Sequence, residues 1–170
     1  MKSQQGLTLV ELLVTLAILA ILASVALPGF QGMLARNNLA TSANAVLSAV
    51  NLARGEAVRQ SAPTTLVALN SADAANEWGP GWQVLNTAVN APAAPCVAPG
   101  CIIQSDGVPA GLTLDSPGNV TFLRFTSRGA LQGAIPVELD LCNAGVGGVK
   151  VTVSAVGRPS TSNLTAADCP

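Results

Sequence analysis

Directly after Gly6, residues 7–27 read LTLVELLVTLAILAILASVAL, apolar throughout except for Glu11 and three small hydroxyl residues. As a helix rising 1.5 Å per residue, this run is about 30 Å long, the thickness of a bilayer's hydrocarbon core. It can cross a membrane. A secretory signal peptide is the alternative, and three features weigh against it. The run exceeds the apolar core of about 7–15 residues usual for such peptides, its front carries a carboxylate, and helical sequence continues after it. The stretch is therefore taken as retained.

Glu11 is the informative residue. A carboxylate among lipid tails is unfavourable by about 3 kcal/mol or more, so it is normally neutral or paired. Cleavage after Gly6 would free an amino group on Leu7 in the same apolar layer. Within one helix that amine sits at the tip and Glu11 lies about a turn away, so the two do not meet comfortably. On neighbouring subunits offset along the axis they can, which points to a polymer of parallel helices.

A short leader ending in Gly6, then Leu7-Thr8-Leu9-Val10-Glu11 and an apolar helix reaching Pro28, resembles the class III leader of type IV pilins and type II secretion pseudopilins. The resemblance implies cleavage between Gly6 and Leu7 by a prepilin peptidase, N-methylation of Leu7, and use of Glu11 and Pro28 in filament assembly. Leu7 stands where most members have Phe.

The remaining chain suits one modest domain within a total of 170 residues. Only 10% of residues are charged and 3% aromatic, which fits a small β-rich head better than a disordered chain. Histidine is absent, which removes Ser-His-Asp and Cys-His chemistry, histidine metal ligands and the usual general base near neutral pH. Lys150 is the only lysine after the leader and no motif surrounds it. No catalytic residue, cofactor or metal is expected.

Pro28-Gly29 is expected to interrupt the helix, and the lost hydrogen bond predicts a kink or local melting there. A second helical half follows to about Gln60. Leu39, Ala43, Val46, Val50, Ala53 and Ala57 recur at steps of three and four and form one apolar face, as in an amphipathic helix packed on its own domain. Together the halves predict a rod of about 80 Å. Ala62-Pro63 ends it, because proline disfavours helical geometry in the residue before it.

After that, Gly, Pro and Asn divide short β segments, predicted at 64–70, 81–87, 101–105, 112–115, 119–126, 135–142 and 149–156. Ile135, Val137, Leu139 and Leu141 alternate with Pro136, Glu138 and Asp140, placing one face inward. Val149, Val151, Val153 and Ala155 alternate likewise, and NAGVGG at 143–148 makes the two segments a hairpin. The Trp78-Gly79-Pro80-Gly81-Trp82 segment reads as a turn whose indoles cover a small core, with a stacking surface as the alternative.

Four cysteines, Cys96, Cys101, Cys142 and Cys169, allow three pairings. Pairing Cys96 with Cys101 would close a short loop, and pairing Cys142 with Cys169 would tie the tail to the sheet. The spacings are poor for zinc, so disulfides in an oxidising compartment are expected.

The Trp pair after the first strand, VTFLRFTSRGAL at 120–131, and Val156-Gly157-Arg158 resemble the GspH/FimT group of minor pilins, including its FimU-like members with a cysteine-anchored tail. This resemblance implies an α+β fold, a long N-terminal helix packed on a small antiparallel sheet head. Residues 1–6 would be the cleaved leader, 7–60 the helix with 7–27 its membrane and filament-core part, and 61–170 the head. It implies a minor subunit in a tip or priming complex of the type IV pilus. Other minor and major pilins and the prepilin peptidase would be its partners. The chain would be a single-pass inner-membrane protein with a periplasmic head before it enters the fibre at the cell surface. A type II secretion minor pseudopilin shares all of this membrane physics. Some FimT-like members bind double-stranded DNA for uptake in natural transformation through a Gly-Arg-x-Arg element. The matching positions here are Gly157, Arg158, Pro159 and Ser160, without the second arginine. Residues 61–170 hold four basic against seven acidic side chains, a poor balance for a general DNA binder. Arg158, assisted by Lys150 or Arg128, remains the candidate contact set.

Overall fold

The computed structural model describes residues 8–73, 75–86, 96 and 100–169; within them, side chains at 25–29 are left aside. One helix, α1 (Leu9–Gln60), precedes eight strands: β1 (Thr64–Ala68), β2 (Trp82–Asn86), β3 (Ile102–Asp106), β4 (Leu112–Asp115), β5 (Phe122–Phe125), β6 (Val137–Asn143), β7 (Gly147–Val153) and β8 (Pro159–Leu164). The chain divides into two compact units, Met1–Arg36 and Asn37–Pro170.

Both ends of α1 are closed by local chemistry. At its start, the Glu11 amide donates to Thr8 Oγ1 at 3.2 Å, so the Thr8 side chain caps one otherwise orphaned donor, and the Leu12 amide makes the first intrahelical bond, to the Thr8 carbonyl at 3.2 Å. At its end, Ser61 takes a left-handed conformation (φ 52°). The Ser61 amide then reaches the Val58 carbonyl and the Ala62 amide the Ala57 carbonyl, the double bond of a Schellman cap. Pro63 follows where the helix can no longer continue. At Pro28 the backbone stays helical. The local melting foreseen from the sequence does not occur, because proline deletes one donor and leaves the rest of the ladder intact.

In the second unit, eight strands form two antiparallel sheets, ordered β3-β2-β1-β5 and β4-β6-β7-β8. Leu39, Ala43, Val46, Val50, Ala53 and Ala57 of α1 are all buried and share one core with both sheets. The first sheet contributes Leu66, Ala68, Trp82, Val84, Leu123 and Phe125, and the second Leu114, Leu139, Leu141, Val151 and Val153. Trp78 and Trp82 are both buried, and Trp78 Nε1 donates to the Val120 carbonyl at 2.8 Å. The segment is thus part of the core, and no stacking surface exists there.

The strand expectations hold with shifted bounds and one omission. β6 starts at Val137, and Ile135 is 70% exposed, so the inward alternation begins two residues later than its pattern implies. β5 starts at Phe122, since Asn119 sits in a turn whose amide bonds the Ser116 carbonyl. β6 and β7 pair as the foreseen hairpin. β8, PSTSNL, was not foreseen. It is a polar edge strand with Pro159 at its first position, so it carries no apolar alternation to announce it. The loop expected at 91–100 lies outside the described residues except for Cys96 and Gly100.

Candidate assembly and nucleic-acid interfaces

In the first unit, ten large apolar side chains between Leu9 and Leu22 are each more than half exposed, and they point to every side of the helix. The hydroxyls among them are all turned inward. Thr8 caps the helix, Thr15 Oγ1 donates to the Leu12 carbonyl at 2.8 Å, and Ser24 Oγ donates to the Ile21 carbonyl at 2.7 Å. Glu11 is then the one polar side chain from residue 9 to 24 without such an internal bond. It lies in the helix's first turn, where the partial positive end favours an acid. Thr8-Leu9-Val10-Glu11 has the spacing of a capping box, a local signal for the helix start.

Gly6 and Leu7, the foreseen cleavage and methylation positions, lie outside the described residues, as does the side chain of Pro28. Among the described residues no helix is long and apolar enough to cross a membrane. The stretch foreseen to span a bilayer runs from residue 7 to 27 and begins outside the described residues, so the span rests on the sequence pattern.

The candidate DNA contacts do not form one group. Lys150 on β7 is engaged on the outer face of the second sheet, with Nζ 2.6 Å from Glu138 Oε2 and 3.7 Å from Asp140 Oδ1. The Glu138 bond holds its ammonium more basic than usual. Asp140, opposite Lys150 in register, is pushed up by burial despite that neighbour. Asp115, opposite Asp140 on β4, is pushed up to about 6 by burial and by its hydrogen bond with the buried Glu77. Asp168 is held low because Thr165 donates to it through both hydroxyl and amide. The surroundings of Lys150 are therefore acidic, and a phosphate gains little there.

The turns that carry Arg128 and Arg158 pack against one another instead. The turn joining β7 to β8 presses on the turn after β5, so closely that a Cβ on Gly157 would lie 2.1 Å from the Gly129 carbonyl oxygen. Each arginine is the chain neighbour of one of these glycines, and both are exposed. Arg54 of α1 joins them, its Nε donating to the same Gly129 carbonyl at 3.1 Å. Among the described residues none of the three makes an ion pair. Arg54 was missed because it lies about 75 residues from its contact, and helical spacing alone placed it off the apolar face.

The cysteines pair as Cys96–Cys101 and Cys142–Cys169. Gly148 makes room for the second bridge: a Cβ there would stand 2.8 Å from Cys169 Sγ and 3.1 Å from Cys142 Sγ. Among the described residues no three His, Cys, Asp or Glu side chains converge to hold a metal.

A helix sheathed in apolar side chains and a second helical stretch packed on antiparallel sheets are the two parts of a pilin-like subunit. Residues 42–157 match the family described as type II transport protein GspH, and residues 1–27 match the prokaryotic N-terminal methylation motif. The chain belongs to the GspH family. In fold it is similar to two crystal structures of the Pseudomonas aeruginosa PAO1 type IV minor pilin FimU. One, in space group P21, has a TM-score of 0.59 at 23% identity over 79% of this chain and 94% of that one. The other, in P65, has a TM-score of 0.57 at 22% identity over 78% and 97%. No curated protein matches in sequence.

Proposed function

We propose that this chain is a minor structural subunit of a type IV pilus, acting in a tip or priming complex. A prepilin peptidase cleaves it between Gly6 and Leu7 and methylates the Leu7 nitrogen. The helix from Leu7 anchors it in the inner membrane with the head in the periplasm, then packs among neighbouring pilins in the fibre, with Glu11 facing the amino group of an adjacent subunit. The observation that carries this reading is the all-round exposure of the apolar side chains between Leu9 and Leu22, with every hydroxyl turned inward. Such a surface is stable only in lipid or against other helices. The test is mass spectrometry of the mature chain, which should begin at a methylated Leu7, together with deletion of its gene, which should abolish surface pili. Loss of protein secretion with pili unaffected would assign it to a type II secretion system instead.

A second reading, a DNA receptor for natural transformation, is favoured by the grouping of Arg54, Arg128 and Arg158 around Gly129. In that reading Arg158 and Arg128 contact phosphates, and Lys150 does not. A gel shift with the full chain should then weaken steeply with salt and collapse in Arg128→Ala/Arg158→Ala. Absence of binding at low salt removes this reading.

A further inference from the structure

The outer edge of β5 borders an open cavity. The Ala68 amide bonds the Thr121 carbonyl at 2.9 Å, so alternation along the antiparallel pair turns the main-chain groups of Leu123 and Phe125 toward β1 and those of Phe122 and Arg124 outward. The Gln132 amide satisfies the Arg124 carbonyl at 2.7 Å, and Phe125 bridges Leu131. Toward Phe122 no strand among the described residues continues this pairing. A cavity of about 680 Å³ opens there, lined by Phe122, Arg124, Thr65, Leu131, Ile135 and Val137 among others. Its volume is that of a ligand site.

Its surface is unfinished in two ways. Ile135 and Phe122 are exposed, 70% and 41%, although large and apolar. Thr65 is buried to 1% exposure, yet its Oγ1 has no hydrogen-bond partner, and neither has the enclosed Nε of Arg124. Among the described residues Arg124 also makes no ion pair. Arg124 lines the cavity without such a pair, so an occupant that brings an anion gives its guanidinium a partner while covering the apolar rim.

We propose that this cavity binds an extended apolar segment of a partner polypeptide, added as a strand beside Phe122, with a carboxylate of that segment on Arg124. Charge complementarity selects the carboxylate. The main-chain groups of Phe122, flanked by Val120 and Arg124 carbonyls already taken by Trp78 and Gln132, favour a peptide over a small amphiphile, because another chain can pair with them. The site lies wholly within the second unit and does not depend on the filament role of the N-terminal helix.

The test uses the full chain in phosphatidylcholine nanodiscs and a fluorescein-labelled pentapeptide of alternating valine and threonine, with either a free or an amidated C-terminus. Fluorescence polarisation should give about tenfold tighter binding of the free acid, the scale of one charge-assisted hydrogen bond. Arg124→Gln should abolish that preference. Ile135→Asp, at an exposed position that leaves the core intact, should weaken both peptides at least tenfold. Equal affinity of the two peptides for the wild type, no saturable binding of either, or binding insensitive to Ile135→Asp would overturn the proposal. So would octanoate competing as well as the free-acid peptide, or a concentration-dependent dimer that Ile135→Asp disperses.

Discussion

Two residues show how contacts distant in the chain decide local chemistry. Gly157 has a φ of 78° and lies against the Gly129 carbonyl, so Gly157→Ala meets both a disfavoured backbone and a wall. A loss of at least about 2 kcal/mol is expected from strain and overpacking together, read as a lowered midpoint in urea. Gly157 stands out in the sequence only as part of a Gly-Arg pair. Its packing against a turn 28 residues earlier is invisible there, since neither turn carries apolar periodicity. Asp115 is the second case. Its carboxyl is raised to about 6 by burial and by Glu77, so between pH 4 and pH 6 the folded chain holds a proton that the unfolded chain releases. By linkage its contribution favours folding below about pH 4 and is lost as pH rises through 6. Asp115→Asn should remove this dependence, so thermal scans should show the variant gaining on the wild type from pH 4 to pH 7. A difference constant across that range would contradict the assignment.

At the scale of elements, the legible parts were those whose burial follows a single period. The helix face from Leu39 to Ala57 was readable because steps of three and four keep every member against one core. The β6–β7 hairpin was readable because Leu139, Leu141, Val151 and Val153 alternate inward across a glycine-rich turn. β1 offers no alternation, because as an interior strand it is buried on both faces. β8 is polar and held by register to β7 and by the nearby Cys142–Cys169 bridge, so its cause lies in its neighbours. The helix's end was located from Pro63, whereas the closing device is the left-handed Ser61. Glycine adopts that conformation without the Cβ penalty. Ser61→Gly should therefore stabilise the second unit by about 0.5–1 kcal/mol, measurable as a raised unfolding midpoint without loss of helical circular dichroism. A lowered midpoint would mean that the serine side chain contributes more than its backbone strain removes.

On the scale of the whole molecule, the chain combines a unit that hides its apolar side chains with one that displays them. The Asn37–Pro170 unit buries its core between helix and two sheets and ties its loop and tail with two disulfides. The N-terminal unit satisfies its hydroxyls internally from Thr8 to Ser24 and leaves its apolar side chains bare from Leu9 to Leu22. Composition alone conveyed this division, since residues 7–27 hold a single charge, Glu11. The grouping of Arg54 with Arg128 and Arg158, and the separation of Lys150 from them, required the packing of distant turns. The central claim is that the bare helix assembles with others and that Glu11 is its polar contact. The direct measurement is the distribution of Glu11→Ala and wild type between the membrane fraction and sheared surface filaments. The account predicts wild type in both fractions, and the variant at wild-type level in the membrane but absent from the filaments. Glu11→Ala in filaments at wild-type level would contradict it.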